Sequence, residues 1–181
     1  MEPVGVLAVQ GGFAAHARAL EACGCAVRLV RSPPHLMGLR GLVLPGGEST
    51  AQLRLLRRLG LWEPLRARLA EGCPVLATCA GLILLAREVR DPLQDSLEAL
   101  DVTVRRNGYG SQIDSFSARS DDGQRPLVFI RAPRLVATGS QVQVLATWRG
   151  EPVLVRQGGL TAATYHPELT DDLALHREIF A

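Results

Sequence analysis

The chain has 181 residues, of which 47% are hydrophobic and 21% are charged, and its formal net charge is +2. These values predict a single globular domain over residues 1–181 with a sizeable core, and they argue against a second full domain. Because no apolar stretch reaches the roughly 18 residues of a membrane span and the N-terminus lacks a signal-peptide pattern, we expect a soluble, cytoplasmic protein. The small net charge and the scattered arginines exclude the basic face that nucleic-acid binding requires.

All 20 basic residues are arginine, and the sequence contains no lysine. The chain therefore has neither a phosphate-loop lysine nor a lysine that could form a Schiff base with a carbonyl compound. Genomic base composition explains this bias more simply than function does, but the chemical exclusion holds in either case. The four cysteines are Cys23, Cys25, Cys73 and Cys79. Because Cys23 and Cys25 have no second close Cys or His pair, we expect them to be buried thiols and not a metal site, and we expect no cofactor.

Short apolar runs alternate with helical patterns in the first half of the chain, which is typical of an α/β fold. Strands are predicted at residues 4–9, 26–30, 41–44 and 73–78, and helices at residues 13–22, 49–59, 62–71 and 80–86. The second half favours strands, at residues 101–105, 112–117, 127–130, 141–148, 152–156 and 160–164, before a closing helix at residues 171–180. This order predicts a central, mostly parallel sheet with helices on both faces and an antiparallel extension.

The sequence around Cys79 has the pattern of a nucleophile elbow, because an apolar run leads directly through this cysteine into a helical run. Far downstream, His166 and Glu168 supply the remaining groups of a Cys-His-acid triad. The start of the helix and a neighbouring His166 would stabilise a thiolate at Cys79, and Glu168 would hold the His166 ring in one tautomer. Taken alone, the His-Pro-Glu triplet is explained equally well as a strand-to-helix turn.

Glycine pairs follow the first and third predicted strands, at the sheet edge where open α/β folds bind ligands. Such pairs let backbone N–H groups approach an anion closely. The N–H groups of Gly47 and Ala80, together with Gln10, are therefore candidate oxyanion donors. For the Pro-Gly-Gly-Glu-Ser-Thr segment at residues 45–50, an ordinary turn with Ser49 as the helix cap is the alternative, and in isolation the better supported one.

Several segments together resemble the class I (triad) glutamine amidotransferases, and within them the glutaminase subunits of pyridoxal 5'-phosphate synthase. The elbow and the His-x-Glu triplet are shared across class I amidotransferases, whereas further segments point to the subfamily. These are Gly-Gly-Glu-Ser at residues 46–49, Arg-Asn-Gly-Tyr-Gly at residues 106–110 and Phe-Ile-Arg-Ala-Pro at residues 129–133. The resemblance covers the chain from its first strand to its last helix, and it implies a three-layer, flavodoxin-like α/β fold.

This resemblance implies that Cys79 hydrolyses L-glutamine to L-glutamate and ammonia through a thioester, with His166 and Glu168 as its relay. It further implies that ammonia passes to a separate synthase (lyase) subunit in a hetero-oligomer that makes pyridoxal 5'-phosphate, which is vitamin B6. The absence of lysine fits this division, since imine chemistry would need a lysine from another chain. The implied glutamine-binding residues are Gly47, Glu48, Ser49, Arg106, Ile130 and Arg131.

Three departures from the family pattern are Ala77, Gly108 and Ser111, none of which removes a catalytic group. We expect Gly108 to loosen the loop that carries Arg106. Three alternative functions stay open. The chain could be a glutaminase of another pathway, such as imidazole glycerol phosphate synthesis, or a cysteine hydrolase of the same fold. It could also be a regulatory subunit without catalysis, although an intact triad argues against that.

Overall fold

The computed structural model describes residues 2–108 and 115–181. In these ranges the helices are α1 (Phe13–Ala22), α2 (Ser49–Arg58), α3 (Trp62–Ala70), α4 (Ala80–Leu85) and α5 (Ala174–Phe180). The strands are β1 (Val4–Leu7), β2 (Val27–Val30), β3 (Gly41–Leu44), β4 (Val75–Thr78), β5 (Ala86–Arg90), β6 (Leu100–Arg105), β7 (Ser115–Arg119), β8 (Pro126–Ile130), β9 (Arg134–Thr138), β10 (Gln143–Trp148), β11 (Glu151–Gln157) and β12 (Leu160–Ala163). Short 3-10 turns occur at Pro33–Leu36 and Pro167–Leu169.

The described residues form a central sheet of seven strands in the order β10-β11-β12-β4-β3-β1-β2. The five strands from β12 to β2 are parallel, whereas β10 and β11 are antiparallel additions at one edge. This arrangement confirms the predicted parallel sheet with an antiparallel extension. Because parallel strands point the same way, the loops that follow β1, β3, β4 and β12 meet at one edge of the sheet.

Both faces of the central sheet are buried, as its near-continuous apolar strands predict. In β3, Leu42 and Leu44 pack with residues of α2, α3 and α4, whereas Val43 packs with residues of α1 and α5 on the opposite face. All three side chains are fully buried. The helices thus cover both faces of the sheet, and the strand ends remain as the open edge.

Two strands, β5 and β9, were not predicted from the sequence. The predicted helix at residues 80–86 ends at Leu85, and Ala86 already begins β5. The residues of β5 are mostly good helix formers, but pairing with β6, which also pairs with β9, overrides this local preference. Strands β7 and β8 form a separate hairpin. The predicted strand at residues 112–117 lies partly outside the described residues.

Among the residues that the structure describes, no helix has the length and apolar character needed to cross a membrane.

Candidate active site

Cys79 lies in a sharp turn between β4 and α4, with φ 47° and ψ −102°. A residue with a Cβ atom rarely adopts a positive φ, so the turn is strained. Its backbone N–H donates a 2.9 Å hydrogen bond to the carbonyl of Ala163 in the neighbouring strand. A Cβ atom at Gly81 would lie 2.0 Å from the Leu44 carbonyl oxygen, so only glycine fits there. This is the strand-turn-helix geometry of a nucleophile elbow.

His166 and Glu168 lie just beyond β12, the strand beside β4. Nδ1 of His166 is 2.7 Å from Oε1 of Glu168, and the His166 backbone N–H donates to the Val128 carbonyl at 2.8 Å. A Cβ atom at Gly46 would lie 2.4 Å from Cε1 of His166 and 3.4 Å from Cβ of Cys79. Both side chains therefore pack against the same glycine, which brings the three predicted triad residues together.

Charge stabilises the protonated form of His166 inside this buried site. Burial alone would lower the pKa of His166, but its interactions with Cys79 and Glu168 outweigh burial and raise this pKa. Within the described residues, Nε2 of His166 makes no aligned hydrogen bond. Burial alone would likewise raise the pKa of Glu168, but His16 and His166 hold this pKa below its ordinary value. The site therefore favours a protonated His166 beside an ionised Glu168.

A cavity of about 400 Å³ opens beside Cys79 at the carboxyl ends of the strands. It is lined by the triad, by Gln10 and by all six predicted glutamine-binding residues, which are Gly47, Glu48, Ser49, Arg106, Ile130 and Arg131. Ala80 is buried as the first residue of α4, so its backbone N–H has no acceptor within the helix. Residues 2–108 and 115–181 contain no group of three or more His, Cys, Asp or Glu arranged to hold a metal ion.

Glu48 is the N-cap of α2, and Ser49 is not. The two carboxylate oxygens of Glu48 accept hydrogen bonds from the N–H groups of Thr50 at 3.1 Å and Ala51 at 2.7 Å. Partial burial would raise the pKa of Glu48, but these N–H groups and the Arg106 guanidinium outweigh it and lower this pKa. The prediction that Ser49 caps this helix is therefore wrong.

Arg106 joins the same group of polar side chains. Its guanidinium donates from Nη2 to Oε1 of Glu48 at 3.1 Å and from Nη1 to Oγ1 of Thr50 at 3.2 Å. The hydroxyl of Ser49 donates to Oε1 of Gln94 at 2.8 Å, so this hydroxyl is already engaged by a residue that the sequence did not single out. Arg106 is thereby fixed in orientation, with its remaining N–H donors available to a ligand.

Three non-glycine residues with positive φ line the cavity, at Cys79, Asn107 and Arg131. Such residues concentrate at functional sites, where the surrounding structure enforces them. The Ile130 carbonyl lies 3.8 Å from Sγ of Cys79. At Gly108, an added Cβ atom would lie 2.3 Å from Cβ of Arg134, so the glycine permits a close approach of two segments. That Gly108 loosens the Arg106 loop stays a prediction.

The loops after β1 and β3 are tied to each other. The Gly12 N–H donates to the Gly46 carbonyl at 2.9 Å, and the Glu48 N–H donates to Oε1 of Gln10 at 2.9 Å. Because a trans peptide directs its N–H opposite to its carbonyl, the Gly47 N–H points away from Gly12. Because Oε1 of Gln10 accepts the hydrogen bond from Glu48, the Nε2 group of the same amide is the donor that Gln10 could offer to an oxyanion. Of the three predicted oxyanion candidates, Gly47 and Gln10 line the cavity, and Ala80 directly follows Cys79 in the elbow.

Sequence reasoning missed several residues of the site. Ile83 and Leu169 line the cavity, but their apolar character gave no signal of this. Gln94 lies in a polar loop without any motif. Two histidines, His16 and His176, lie behind Glu168, and a signal for them would have been a polar residue on the buried face of each helix.

A sequence profile described as the SNO glutamine amidotransferase family matches residues 6–180 of the chain. The chain belongs to this family. Two similar proteins of the family are named Pyridoxal 5'-phosphate synthase subunit PdxT. The one from Thermotoga neapolitana is 48% identical over 179 residues, which cover 96% of this chain and 95% of that protein. The one from Deinococcus radiodurans is 50% identical over 183 residues, which cover 96% and 93%.

Solved structures agree with the family assignment. A crystal structure described as a glutamine amidotransferase superposes with a TM-score of 0.91 at 44% identity, covering 97% of this chain and 96% of that one. A glutamine amidotransferase from Thermotoga maritima superposes with a TM-score of 0.62 at 13% identity, covering 99% and 81%. The second similarity concerns the fold alone. Together they confirm the predicted amidotransferase-like α/β architecture.

Proposed function

We propose that this chain is the glutaminase subunit of a pyridoxal 5'-phosphate synthase, and that it hydrolyses L-glutamine to L-glutamate and ammonia. The observation that carries this proposal is the Cys79 elbow beside the His166–Glu168 pair, in a cavity whose wall holds fixed charged groups. Family membership supports the same reaction. The chain acts in the cytoplasm as one domain, 1–181, in a hetero-oligomer with the synthase subunit.

Acylation begins when the Cys79 thiolate attacks the carboxamide carbon of the glutamine side chain. The carbonyl oxygen takes up the electron pair and becomes an oxyanion, for which the N–H groups of Gly47 and Ala80 and the Gln10 amide are the donors. The protonated His166 gives its proton to the amide nitrogen. The C–N bond then breaks, ammonia leaves, and a γ-glutamyl thioester remains on Cys79.

Deacylation uses the same groups in reverse. Neutral His166 removes a proton from water, and the hydroxide attacks the thioester carbon. The C–S bond breaks, and Cys79 returns to the thiolate with His166 protonated. The new γ-carboxylic acid gives its proton to water and leaves as glutamate. Glu168 stays ionised throughout and stabilises the imidazolium.

Substrate recognition uses charges that match free glutamine. Its α-carboxylate requires cationic donors, which Arg106 and Arg131 provide, and its α-ammonium requires an acceptor such as Glu48. The hydrogen bonds of Arg106 to Glu48 and Thr50 hold its guanidinium ready for binding. Because the chain contains no lysine, imine chemistry that consumes the ammonia belongs to the synthase subunit.

The decisive experiment measures glutamate release by the chain alone and with synthase subunits from several pathways. We expect stimulation by a pyridoxal 5'-phosphate synthase subunit. Stimulation only by a synthase of another pathway would contradict the proposed pathway.

A glutamine-analogue electrophile should label Cys79. Cys79→Ala should therefore abolish labelling, whereas Cys73→Ala, at another buried thiol, should not. If no adduct forms at Cys79 even with the synthase present, the mechanism is wrong.

Turnover of peptides instead of glutamine would favour the same-fold hydrolase.

A further inference from the structure

A second pair of histidines lies behind the triad. His16 of α1 and His176 of α5 are both fully buried, and Nδ1 of His16 is 3.0 Å from Nε2 of His176. Nε2 of His16 is 3.2 Å from Oε2 of Glu168, the carboxylate oxygen that does not contact His166. A continuous row of polar side chains therefore runs from α5 through α1 to Glu168 and His166.

The proton positions in this row follow from the carboxylate. Glu168 is ionised and can only accept protons, so an unprotonated Nε2 of His16 would direct a lone pair at a negative oxygen. Nε2 of His16 therefore carries the proton, and Nδ1 accepts. His176 must then donate from Nε2, which leaves its Nδ1 unprotonated. That atom is buried and has no hydrogen-bond partner among the described residues, and an unsatisfied acceptor is tolerated better than an unsatisfied N–H.

His16 also contacts the last residue of β4, directly before Cys79. Its Nε2 is 3.0 Å from Oγ1 of Thr78, and the same oxygen accepts the N–H of Gly46 at 3.0 Å. The hydroxyl oxygen has two lone pairs and can accept both donors. The Nε2–H of His16 thus makes its aligned hydrogen bond with Thr78, and its contact with Glu168 is the attraction of a positive dipole end for a carboxylate.

Both histidines are neutral near neutral pH. Burial lowers the pKa of His16 to about 4, against the opposing charge of Glu168 and together with repulsion from His176 and His166. Burial also lowers the pKa of His176, although Glu168 and Asp172 oppose this. A neutral imidazole has one N–H donor and one nitrogen acceptor. The hydrogen bonds of the two histidines can therefore all point the same way, toward Glu168.

We propose that His176 and His16 are positioning residues that form a one-directional imidazole relay, whose donor end lies against Glu168. The relay holds Glu168 ionised and oriented, and Glu168 in turn fixes the tautomer of His166. This inference rests on the proposed function for its kinetic consequences, but the relay itself exists independently of the reaction. It is comparable to the outer partners that orient ligating histidines in metal sites, whose removal costs about 10- to 100-fold in activity.

Nitrogen NMR of the imidazole side chains tests the relay without any assay of activity. We expect both His16 and His176 to carry their proton on Nε2. Protonation of His16 on Nδ1 would overturn the proposal. Because this result does not depend on glutamine turnover, a wild-type chain inactive with every synthase would refute the proposed function and leave the relay testable.

Substitutions of His16 test its effect on catalysis. His16→Phe keeps the ring shape and removes the donor, so we expect kcat to fall about 10- to 100-fold with little change in KM. Because Glu168 also loses the positive end of the His16 Nε2–H dipole, its pKa should rise, and the acid limb of the pH–rate profile should move to higher pH. His16→Gln has an amide N–H near the original Nε2 and should retain more activity than His16→Asn, whose amide lies nearer Nδ1.

Two further variants complete the experiment. His176→Phe should lower kcat less than His16→Phe, because it acts one hydrogen bond further away. His35→Phe changes an exposed histidine in the Pro33–Leu36 turn and should leave kcat and the pH profile unchanged. If His16→Phe does not fold, the Gln and Asn pair decides the matter, since equal activities would overturn the proposal. Unchanged kinetics in a folded His16→Phe would also overturn it.

Discussion

The two walls of the cavity differ in how far they are removed from water. On the triad wall, the side chains of His166 and Glu168 are only 9% and 1% exposed, and His16 behind them is fully buried. On the recognition wall, the side chains of Arg106 and Glu48 are 18% and 43% exposed. The first wall holds its charges in a poorly screened interior, and the second holds them near solvent.

This difference follows from the two tasks. Charge that develops during bond breaking is best stabilised by fixed groups in a water-excluded site. A substrate that carries its own charges must instead enter from water and meet groups that remain accessible. We therefore expect substitutions on the triad wall to lower kcat strongly, and substitutions on the recognition wall to raise KM moderately.

The largest effect is expected for Glu168→Gln. The amide has nearly the same shape, but it can present an N–H to Nδ1 of His166 and so favour the wrong tautomer. By analogy with the acid of serine-protease triads, kcat should fall by about 10⁴-fold. Steady-state kinetics of the synthase complex measures this. The control is Glu178→Gln, which changes a carboxylate paired with surface arginines. Equal kcat values for the two variants would contradict the expected strong effect on the triad wall.

A smaller effect is expected for Arg106→Lys, which keeps the positive charge and loses the forked guanidinium. The hydrogen bonds to Glu48 and Thr50 can no longer form together with those to a carboxylate. We expect KM for glutamine to rise about tenfold, equivalent to about 1.4 kcal/mol, with kcat nearly unchanged. Arg57→Lys, in the exposed pair with Asp95, should change neither constant. A fall in kcat at constant KM would show that Arg106 acts in the chemistry.

The smallest effect is expected for Glu48→Gln, measured as stability. Weakening the N-cap of α2 should cost about 1 kcal/mol of unfolding free energy at neutral pH. Because the pKa of Glu48 is lowered in the folded state, its contribution is present above the unfolded pKa and disappears as the pH falls through the folded pKa.

Denaturant unfolding of wild type and variant between neutral and acidic pH tests this sign. The difference between them should shrink as the solution is acidified. Glu63→Gln in the first turn of α3, where the helix has no side-chain cap hydrogen bond, is the control. A difference that grows on acidification would contradict the role of the carboxylate.

The fold was largely predictable because its signals are local. Strands β1, β3 and β4 are buried on both faces and therefore appear as continuous apolar runs. Strand β5 escaped prediction because Ala-Arg-Glu-Val-Arg favours a helix until pairing with β6 is known. Such pairing is a long-range contact that no local pattern contains.

The site was predictable where a reactive residue type follows directly on an apolar strand. Cys79 directly follows β4, and the His-Pro-Glu triplet begins three residues after the end of β12. Serine is a common cap, which favoured Ser49, yet the neighbouring Glu48 reaches the helix N–H groups with a longer side chain. Gln94 gave no signal at all, and the one signal of His16, a polar residue on the buried face of a helix, does not reveal its partner, since only the folded chain brings these residues beside Ser49 and Glu168.

The strained turn at Cys79 affects which substitutions evolution can select at this position. A residue with a Cβ atom in such a sparsely populated conformation costs about 1–3 kcal/mol, whereas glycine would adopt it freely. Selection for thermal robustness alone would thus favour replacing the nucleophile, and selection for turnover opposes it. At the proposed nucleophile, activity and stability therefore make opposite demands on one residue.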